Sequence, residues 1–290
     1  MSRQTHRVVV ALAAAAALMA ACGRVADDPG RLSAMTFNIR FDNPDDGTDA
    51  WPHRRARVAG TIAAQAPDVL GLQEALLHQA EFLAGALPDY DWYGVGRDDG
   101  KLEGEFDPVF FRKDRFERLD AGTFWLSETP DTAGSVGWDA ALTRACSWVS
   151  LRDLDNGTQL YVFNTHFDHM GERARIESAA LIRHKIAAIA GGRHWVLLGD
   201  FNSAPGSAPY RGLTEPFDDM VTMIDTYAAA TTTTGPDSTW NGFSAIEPGR
   251  RIDYVFADQR MQALALDILV DERDGRFSSD HQPVIATLGW

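Results

Sequence analysis

WVLLGDFN, residues 195–202, is the stretch of this sequence that decides its fold class. Its four apolar residues predict a short buried strand at 195–198, and the glycine that follows ends the strand beside two polar residues, Asp200 and Asn202. Side chains two residues apart lie on the same side of an extended chain, so we expect both to face one cleft. A helical pattern at 174–190, closed by two glycines, precedes the strand.

Apolar runs of strand length alternate with helical patterns along the rest of the chain. Helices are predicted at residues 54–65, 76–87 and 174–190. Strands are predicted at residues 33–39, 69–72, 109–112, 148–151, from 159 to 164, and at 195–198, 252–257 and 284–288. Strands outnumber helices, which favours a two-layered β core flanked by helices over a parallel doubly wound sheet. No repeat or hinge divides the chain, which indicates one domain.

Polar and ionisable residues recur where these apolar strands end. They are Asn38, Glu74, His166, Asp200, Asn202, Asp253, Asp280 and His281. Each one alone has an ordinary explanation, as a turn residue, a helix cap or a hydrogen-bonded histidine. Asp253 is harder to explain, because a carboxylate within a strand of apolar neighbours needs a partner. Together they offer oxygen ligands for a hard cation and two imidazoles, and nothing in the set matches a cysteine-based zinc site.

The ordered series of motifs resembles the endonuclease/exonuclease/phosphatase superfamily, the group that includes deoxyribonuclease I. Its blocks are Asn38, Gln73-Glu74, Asn164-Thr165-His166, Gly199-Asp200-Phe201-Asn202-Ser203, Arg251-Ile252-Asp253-Tyr254 and Ser279-Asp280-His281. The resemblance covers residues 33–290. It implies an α/β fold, a four-layered α/β-sandwich with two packed mixed β-sheets flanked by helices.

The resemblance also implies a chemistry that uses Mg²⁺ or Mn²⁺. Glu74 would bind the cation, with Asn38 and Asp280 contributing nearby. Asp200 would orient and deprotonate the attacking water, and Asn202 would hold that water or a phosphate oxygen. A hard cation neutralises phosphate charge and stabilises the leaving oxygen.

The two histidines would act on the phosphate itself. His166 and His281 would donate hydrogen bonds to the oxygens of the pentavalent phosphorane. Asp253 and Asp280 would fix the orientation and tautomer of the imidazoles.

Four residues outside these blocks are candidates for substrate binding: Arg97, Asp168, His169 and Trp240. Arg97 could clamp a phosphate, with a salt-bridged loop as the alternative. Asp168 and His169 extend the His166 block and could lie beside the cleft. Trp240 could be a platform for a sugar or base, or an ordinary core aromatic.

Residues 1–22 have the pattern of an export signal. Two arginines and a histidine precede an apolar run from Val8 to Ala21, which is too short to span a bilayer comfortably. The ending Leu18-Met19-Ala20-Ala21-Cys22 resembles a bacterial lipobox, which predicts a periplasmic or outer-membrane-anchored lipoprotein acylated at Cys22. The alternative is an ordinary cleaved signal. Residues 23–32 are interpreted as a linker, and Cys146, in an apolar stretch, as a buried packing residue.

The formal net charge of −14 offers no basic footprint for a duplex, so no dedicated nucleic-acid binding is expected. The densest basic run, Arg54-Arg55-Ala56-Arg57, is interpreted as a solvated helix face. We therefore expect an exported phosphodiesterase acting on small, sugar- or lipid-linked phosphoesters, with membrane contact only through the lipid anchor and no obligate protein partner. The alternatives are a secreted endo- or exonuclease and a non-catalytic surface binding lipoprotein.

Overall fold

Residues 30–216 and 222–290 are described by the computed structural model of the protein. The predicted signal peptide, with Cys22, and residues 23–29 of the linker lie outside the described residues. Strand β1, Arg31–Asn38, begins two residues before the predicted start at 33. Arg31 and Leu32 pair with the last strand of the chain, so these two residues belong to the domain and not to the linker.

The described residues form alternating strands and helices with the following bounds. The helices are α1 Trp51–Gln65, α2 Leu77–Ala86, α3 Glu172–Ala190, α4 Ala208–Thr214 and α5 Thr226–Ala229. The strands after β1 are β2 Val69–Gln73, β3 Tyr90–Tyr93, β4 Val109–Arg112, β5 Phe116–Trp125, β6 Ala145–Asp153, β7 Gln159–His166, β8 His194–Asp200, β9 Met223–Asp225, β10 Thr232–Thr234, β11 Asp253–Asp258, β12 Gln262–Ile268, β13 Glu272–Arg273, β14 Arg276–Phe277 and β15 Val284–Gly289. No helix among these is long and apolar enough to cross a membrane.

Two large mixed sheets form the centre of the domain. The first has the strand order β10-β12-β15-β1-β2-β4-β3, and the second has the order β5-β6-β7-β8-β11-β9. Strands β1 and β2 are parallel in the first sheet, and β7 and β8 are parallel in the second. Strand β11 runs antiparallel to β8. The carboxyl ends of the parallel pairs lie next to the amino end of β11, which gathers polar side chains at one edge.

Three apolar clusters show that the domain has four layers. The central cluster joins the inner faces of the two sheets and includes Val69, Val162 and Val196. A second cluster packs α3 onto the second sheet, and a third packs α1 and α2 onto the first. The predicted four-layered α/β-sandwich is therefore confirmed. Cys146 is fully buried in the second cluster, as the sequence predicted.

A polar seam also joins the two sheets close to the site. The amide of Gln73 in β2 donates to Oδ1 of Asn164 in β7 at 2.6 Å, and Nδ2 of Asn164 donates back to the Leu72 carbonyl at 2.7 Å and the Pro108 carbonyl at 3.0 Å. A Cβ on Gly71 would lie 2.5 Å from Asn164 Oδ1, so only glycine leaves room for this approach. Buried amides are stable only when they are hydrogen-bonded, and here they bond across the sheet interface.

The sequence patterns missed several elements, chiefly β5, β12 and α4. Strand β5 is an edge strand whose middle residues are exposed, so it lacks the apolar alternation that identifies a strand. Strand β12 has a bulge between Ala263 and Ala265, which interrupts its alternation. Helix α4 is only seven residues long, too short for a periodic pattern.

Candidate active site

Strand register brings the predicted catalytic residues together. In the parallel pair β7 and β8, His166 lies opposite Asp200. In the antiparallel pair β8 and β11, Asp200 lies opposite Asp253. Asp253 lies in a strand, as predicted, and it is the first residue of that strand, β11. Its position explains why a carboxylate stands beside apolar neighbours here. A carboxylate at a strand end can face the site while the residues after it are buried in the core.

Asp200 is the centre of a buried hydrogen-bond network. Its Oδ2 accepts from Nδ2 of Asn38 at 3.0 Å, and it lies 3.4 Å from Nε2 of His166 and 3.7 Å from Nε2 of His281. Its Oδ1 accepts from the backbone N–H of Asn202 at 2.9 Å. Asn202 Nδ2 is 3.1 Å from Nε2 of His166. The geometry puts one carboxylate, two amides and two imidazoles around a common point.

Asp253 and His281 form the second part of this network. The Asp253 Oδ2 and His281 Nδ1 atoms are 2.9 Å apart, and both side chains are buried. Asp253 therefore makes the imidazole contact that was predicted for it. Asp280, which was predicted to orient the other imidazole, instead lies beside Ser279 and Arg40, and no hydrogen bond joins it to a histidine within the described residues.

The electrostatics separate the two histidines. Burial lowers the pKa of His166 well below its usual value, and the positive charge of Arg144 lowers it further, so this imidazole is neutral at pH 7. Burial also lowers the pKa of His281, but the carboxylates of Asp253 and Asp200 outweigh it and raise the pKa to about 10. His281 is therefore a cation at pH 7, with an imidazolium proton to donate.

The surroundings of Asp200 shift the pKa of its carboxyl group toward neutrality. Burial, followed by the negative charge of Asp253, raises the pKa of Asp200 to about 7, whereas the His281 cation and hydrogen bonds from Asn202 and Asn38 lower it. A catalytic base is most effective when its pKa lies near the working pH. The carboxylate of Asp200 meets that condition because of its surroundings and not because of its residue type.

Glu74 and Asp280 lie on the same cleft, beside Arg40. The Arg40 guanidinium is 4.0 Å from Glu74 Oε2 and 3.9 Å from Asp280 Oδ2, while two 3.0 Å hydrogen bonds fix it to Asp46. Glu74, Arg40 and Asn202 all have positive φ, at 60°, 55° and 46°. Such backbone strain in non-glycine residues is rare and clusters at functional sites.

The donor set of Glu74 and Asp280 fits a hard divalent cation. Burial raises the pKa of Asp280, and the negative charge of Glu74 adds to the effect. A cation between two carboxylates that repel each other relieves this, and Mg²⁺ and Mn²⁺ prefer such oxygen ligands.

Asn38 is a weaker ligand in this arrangement than the sequence predicted. Its amide N–H₂ donates to Glu74 and Asp200, and its oxygen accepts from the backbone N–H of Arg40 at 3.0 Å. It therefore aligns two carboxylates from behind. Donor atoms of Asp200, Asp253 and His281 also lie within 4.8 Å of one another. The hydrogen bond between Asp253 and His281 already engages two of these three residues, so we favour Glu74 and Asp280 for the metal.

A cleft of about 460 Å³ is lined by six of the predicted site residues and by Arg40; the six are Glu74, His166, Asp200, Asn202, Asp280 and His281. The cleft is also lined by Phe41, Glu105, Leu142, Arg144, His169, Trp240 and Arg250. The Trp240 ring meets His281 edge-on, with ring centroids 4.8 Å apart, and the Arg250 guanidinium lies 4.4 Å above the tryptophan ring. Of the four predicted substrate-binding residues, His169 and Trp240 line the cleft.

Arg97 and Asp168 lie behind the cleft lining. Arg97 is buried and pairs with both carboxylate oxygens of Glu105, at 2.6 and 2.9 Å. The salt-bridged alternative is therefore the one observed. Asp168 is buried as well, and accepts hydrogen bonds from the backbone N–H groups of Met170 and Gly171 at 2.9 and 2.7 Å. Neither residue lines the cleft.

Arg54 corrects a second interpretation. This arginine was assigned to a solvated face of α1, but it is fully buried. Its guanidinium donates to the carbonyls of Asp49 at 2.8 Å and Arg40 at 2.7 Å, and also to those of Ile39 and Ser278. The basic run conceals this role because Arg55 is exposed and only Arg54 lies on the inner side of the helix. Arg54 holds the loop after β1 to the loop before β15.

The cleft also contains residues that sequence reasoning missed, namely Arg40, Glu105, Arg144 and Arg250. Arg40 follows Asn38 by two residues, so proximity to the first motif could have indicated it. The other three lie in loops between strands, with no local pattern to distinguish them from surface charges. The three arginines give the cleft more positive charge than the overall composition suggests.

A buried aspartate, asparagine and pair of histidines at the strand ends of two packed mixed sheets are the features of a phosphoester hydrolase of the deoxyribonuclease I-like fold. The model of the Endonuclease/Exonuclease/phosphatase family matches residues 35–281, and the chain belongs to this family. Two uncharacterised proteins of Acanthamoeba polyphaga mimivirus are 24% and 25% identical, and the matched regions span 29% and 59% of their lengths.

Solved structures of bacterial proteins resemble the whole domain. An endonuclease/exonuclease/phosphatase from Bacteroides vulgatus is 41% identical with a TM-score of 0.85, over 89% of this chain and 98% of that one. The mannosyl-6-phosphatase of Bacteroides thetaiotaomicron is 36% identical with a TM-score of 0.82, over 89% and 100% of the two chains. A protein of unknown function from Enterococcus faecalis is 26% identical with a TM-score of 0.80, over 89% and 100%.

Proposed function

We propose that this protein is an exported, metal-dependent phosphoesterase that hydrolyses the phosphoester of a small, sugar-like molecule with water deprotonated by Asp200. The observation that carries the proposal is the contact network of Asp200, Asn202 and two histidines at one end of a 460 Å³ cleft. Clefts of this size hold small ligands.

Each residue of the network has a distinct task in this proposal. Asp200 accepts the proton of the attacking water, which its pKa of about 7 permits near neutral pH. His281, as a cation, donates to a phosphoryl oxygen and stabilises the charge that develops there. Asp253 keeps the His281 ring oriented and charged. Asn202 holds the water or a phosphoryl oxygen, and neutral His166 supports Asn202.

Glu74 and Asp280 would hold Mg²⁺ or Mn²⁺ in the same cleft. When it is bound, such a cation neutralises phosphate charge and stabilises the leaving oxygen. Asn38 bridges Glu74 and Asp200 through its N–H₂ group, so the metal ligand and the base keep a fixed separation.

The outer cleft supports a sugar as the group that carries the phosphate. Trp240 lines the cleft beside His281 and offers a flat apolar face next to polar side chains. The 36% identity with a mannosyl-6-phosphatase over the whole domain supports the same class of substrate. The sequence favoured a phosphodiester, but this phosphatase relative and the basic side chains of the cleft favour a phosphomonoester.

The N-terminal pattern supports the remaining part of the proposal. Residues 1–22 match an export signal, and Cys22 would be the point of lipid attachment. The protein would then act at a bacterial membrane surface, on substrates outside the cytoplasm.

Hydrolysis of a substrate panel tests the proposed function. Purified protein would be assayed with mannose 6-phosphate, p-nitrophenyl phosphate, bis-p-nitrophenyl phosphate, phospholipid vesicles and DNA, with Mg²⁺ or Mn²⁺ and with excess chelator. We expect turnover of the sugar phosphate with metal and none with chelator. DNA as the best substrate would favour the nuclease alternative. No turnover of any substrate would favour a non-catalytic binding protein.

A further inference from the structure

Arg144 occupies a position in the cleft that the network above does not explain. It immediately precedes β6, its carbonyl accepts from the backbone N–H of Leu126 at 2.8 Å, and its side chain is 4% exposed. Its Nε lies 3.5 Å from Oδ2 of Asp168, and its Nη2 lies 3.2 Å from Nδ1 of His169. Its Nη1 is buried and has no hydrogen-bond partner among the described residues.

An unpartnered buried guanidinium N–H is unusual. Buried polar groups in folded proteins almost always have a hydrogen-bond partner, and a charged group without one is costly. Burial accordingly lowers the pKa of Arg144. Since the residue lines the cleft, a ligand oxygen can provide the missing acceptor without any change in the fold.

The other cleft arginines are already engaged. Arg40 is bonded through two nitrogens to Asp46 and flanked by Glu74. Arg250 is exposed, lies over Trp240 and pairs with Glu247 at 2.9 Å. Among the cleft-lining arginines of the described chain, Arg144 alone has a buried N–H without a partner.

His169 completes the arrangement at the exposed rim. Its Nδ1 faces Arg144, which can only donate, so Nδ1 accepts and the proton of a neutral ring is on Nε2. Arg144 therefore orients the His169 ring, and the Nε2–H of that ring is a second N–H donor. Asp168 anchors the group from behind, since three backbone N–H groups hold its carboxylate.

We propose that Arg144 and His169 bind the third terminal oxygen of a phosphomonoester and make the enzyme selective for monoesters over diesters. This inference rests on the proposed function. A phosphomonoester has three terminal oxygens and up to two negative charges, whereas a diester has two oxygens and one charge. His281 with Asn202, and the metal site, account for two oxygens. A diester would bring its second alkoxy group against the unpartnered N–H and leave it unsatisfied.

The test compares one monoester and one diester with the same chromophore. In Mg²⁺, wild type is expected to prefer p-nitrophenyl phosphate to bis-p-nitrophenyl phosphate. Arg144→Met should lower kcat/KM for the monoester by about 100-fold and that for the diester by less than about fivefold. His169→Ala, at an exposed position that does not threaten folding, should lower the monoester value by about tenfold. Equal losses on both substrates, or no loss on the monoester, would overturn the proposal.

Two measurements distinguish a failure of this inference from a failure of the proposed phosphoesterase function. Arg115→Met removes a buried arginine that pairs with Asp68 and Asp153, and that residue does not line the cleft, so it should lower the Tm but leave the monoester-to-diester ratio unchanged. Binding of inorganic phosphate by calorimetry needs no turnover. Arg144→Met should weaken it at least tenfold, and unchanged phosphate affinity would refute the subsite even if wild type hydrolysed nothing. If wild type hydrolysed the diester at least as fast as the monoester, the proposed phosphoesterase function would stand and the proposed selectivity would be refuted.

Discussion

Replacing Asp253 with asparagine should change the pH dependence of catalysis and not only its rate. The carboxylate of Asp253 raises the pKa of both Asp200 and His281. The proposed mechanism requires Asp200 ionised and His281 protonated, so in wild type kcat/KM should rise with pH through about 7 and fall again near 10. Without the charge of Asp253, both limbs should move to lower pH, because repulsion of the Asp200 carboxylate and attraction of the His281 cation are lost together.

The distances set the size of the effect. The rise of the His281 pKa from 6.5 to about 10 corresponds to about 5 kcal/mol in favour of the charged ring. Asp253 is the nearer of its two carboxylates, at 2.9 Å against 3.7 Å for Asp200, so we assign it the larger part. The alkaline limb of the pH profile should therefore move to lower pH by about two units. The maximal kcat should fall by about 10²- to 10⁴-fold, as expected when an aspartate that orients a catalytic histidine is lost.

The assay is kcat/KM from pH 5 to 11, with folding checked by circular dichroism at each pH. Asp258→Asn is the matched control, since Asp258 is a buried aspartate at the other end of β11 that pairs with Arg260 and does not line the cleft. Its limbs should not move. A folded Asp253→Asn variant with a low kcat but both limbs in place would refute the electrostatic role of Asp253.

Four further predictions follow from single residues. Asp200→Asn should lower kcat by about 10²- to 10⁴-fold with an unchanged circular dichroism spectrum, and a folded variant that keeps more than about a tenth of kcat would place the base elsewhere. Arg54→Met leaves four carbonyls without their donor, so thermal melting should show a loss of about 3 kcal/mol, or roughly 10 °C in Tm, and a loss below 2 °C would contradict this. Burial raises the pKa of Asp168, but hydrogen bonds from backbone N–H groups outweigh it and lower the pKa to about 2. The Asp168 carboxylate therefore stabilises the fold above pH 4, and this contribution is lost as the pH falls. In urea titrations, the loss of unfolding free energy caused by Asp168→Asn should become smaller below pH 4. Cys22→Ser should release the exported protein from the membrane fraction, and a wild type that is already soluble would refute the proposed anchor.

Much of the fold could be predicted because the central strands are strongly apolar. Strands β2, β4, β8 and β15 are buried along most of their length, so their apolar runs identify them directly. The edge strand β5 could not be found this way, since one face of an edge strand is solvated and its residues resemble a loop. Strand pairing is non-local and was not predicted; the resemblance to a known family supplied only the arrangement of the layers.

The residues of the candidate site could likewise be predicted where a local sequence pattern marks them, and not where their role depends on distant partners. Residues such as Asp200 and His166 follow apolar strands, which makes them visible in the sequence and places them correctly in space. The roles of Arg54 and Arg144 depend on which carbonyls and carboxylates surround them, and those partners come from distant parts of the chain. A basic residue has the same appearance in a sequence whether it is solvated, structural or in a cleft.

The amide seam between Gln73 and Asn164 has a consequence for how precisely the two halves of the sandwich are aligned. Apolar side chains attract without direction, so two sheets held only by them could slide past each other by a fraction of an ångström at little cost. Hydrogen bonds of 2.6 and 2.7 Å across the interface resist such shear. The proposed metal ligands, Glu74 and Asp280, lie next to strands of one sheet, and the proposed base, Asp200, ends a strand of the other. A displacement of about 1 Å in a catalytic group can cost about 10²-fold in rate. These hydrogen bonds therefore fix the position of one sheet relative to the other. Gly71, which has no side chain, leaves the space that Asn164 needs to form them.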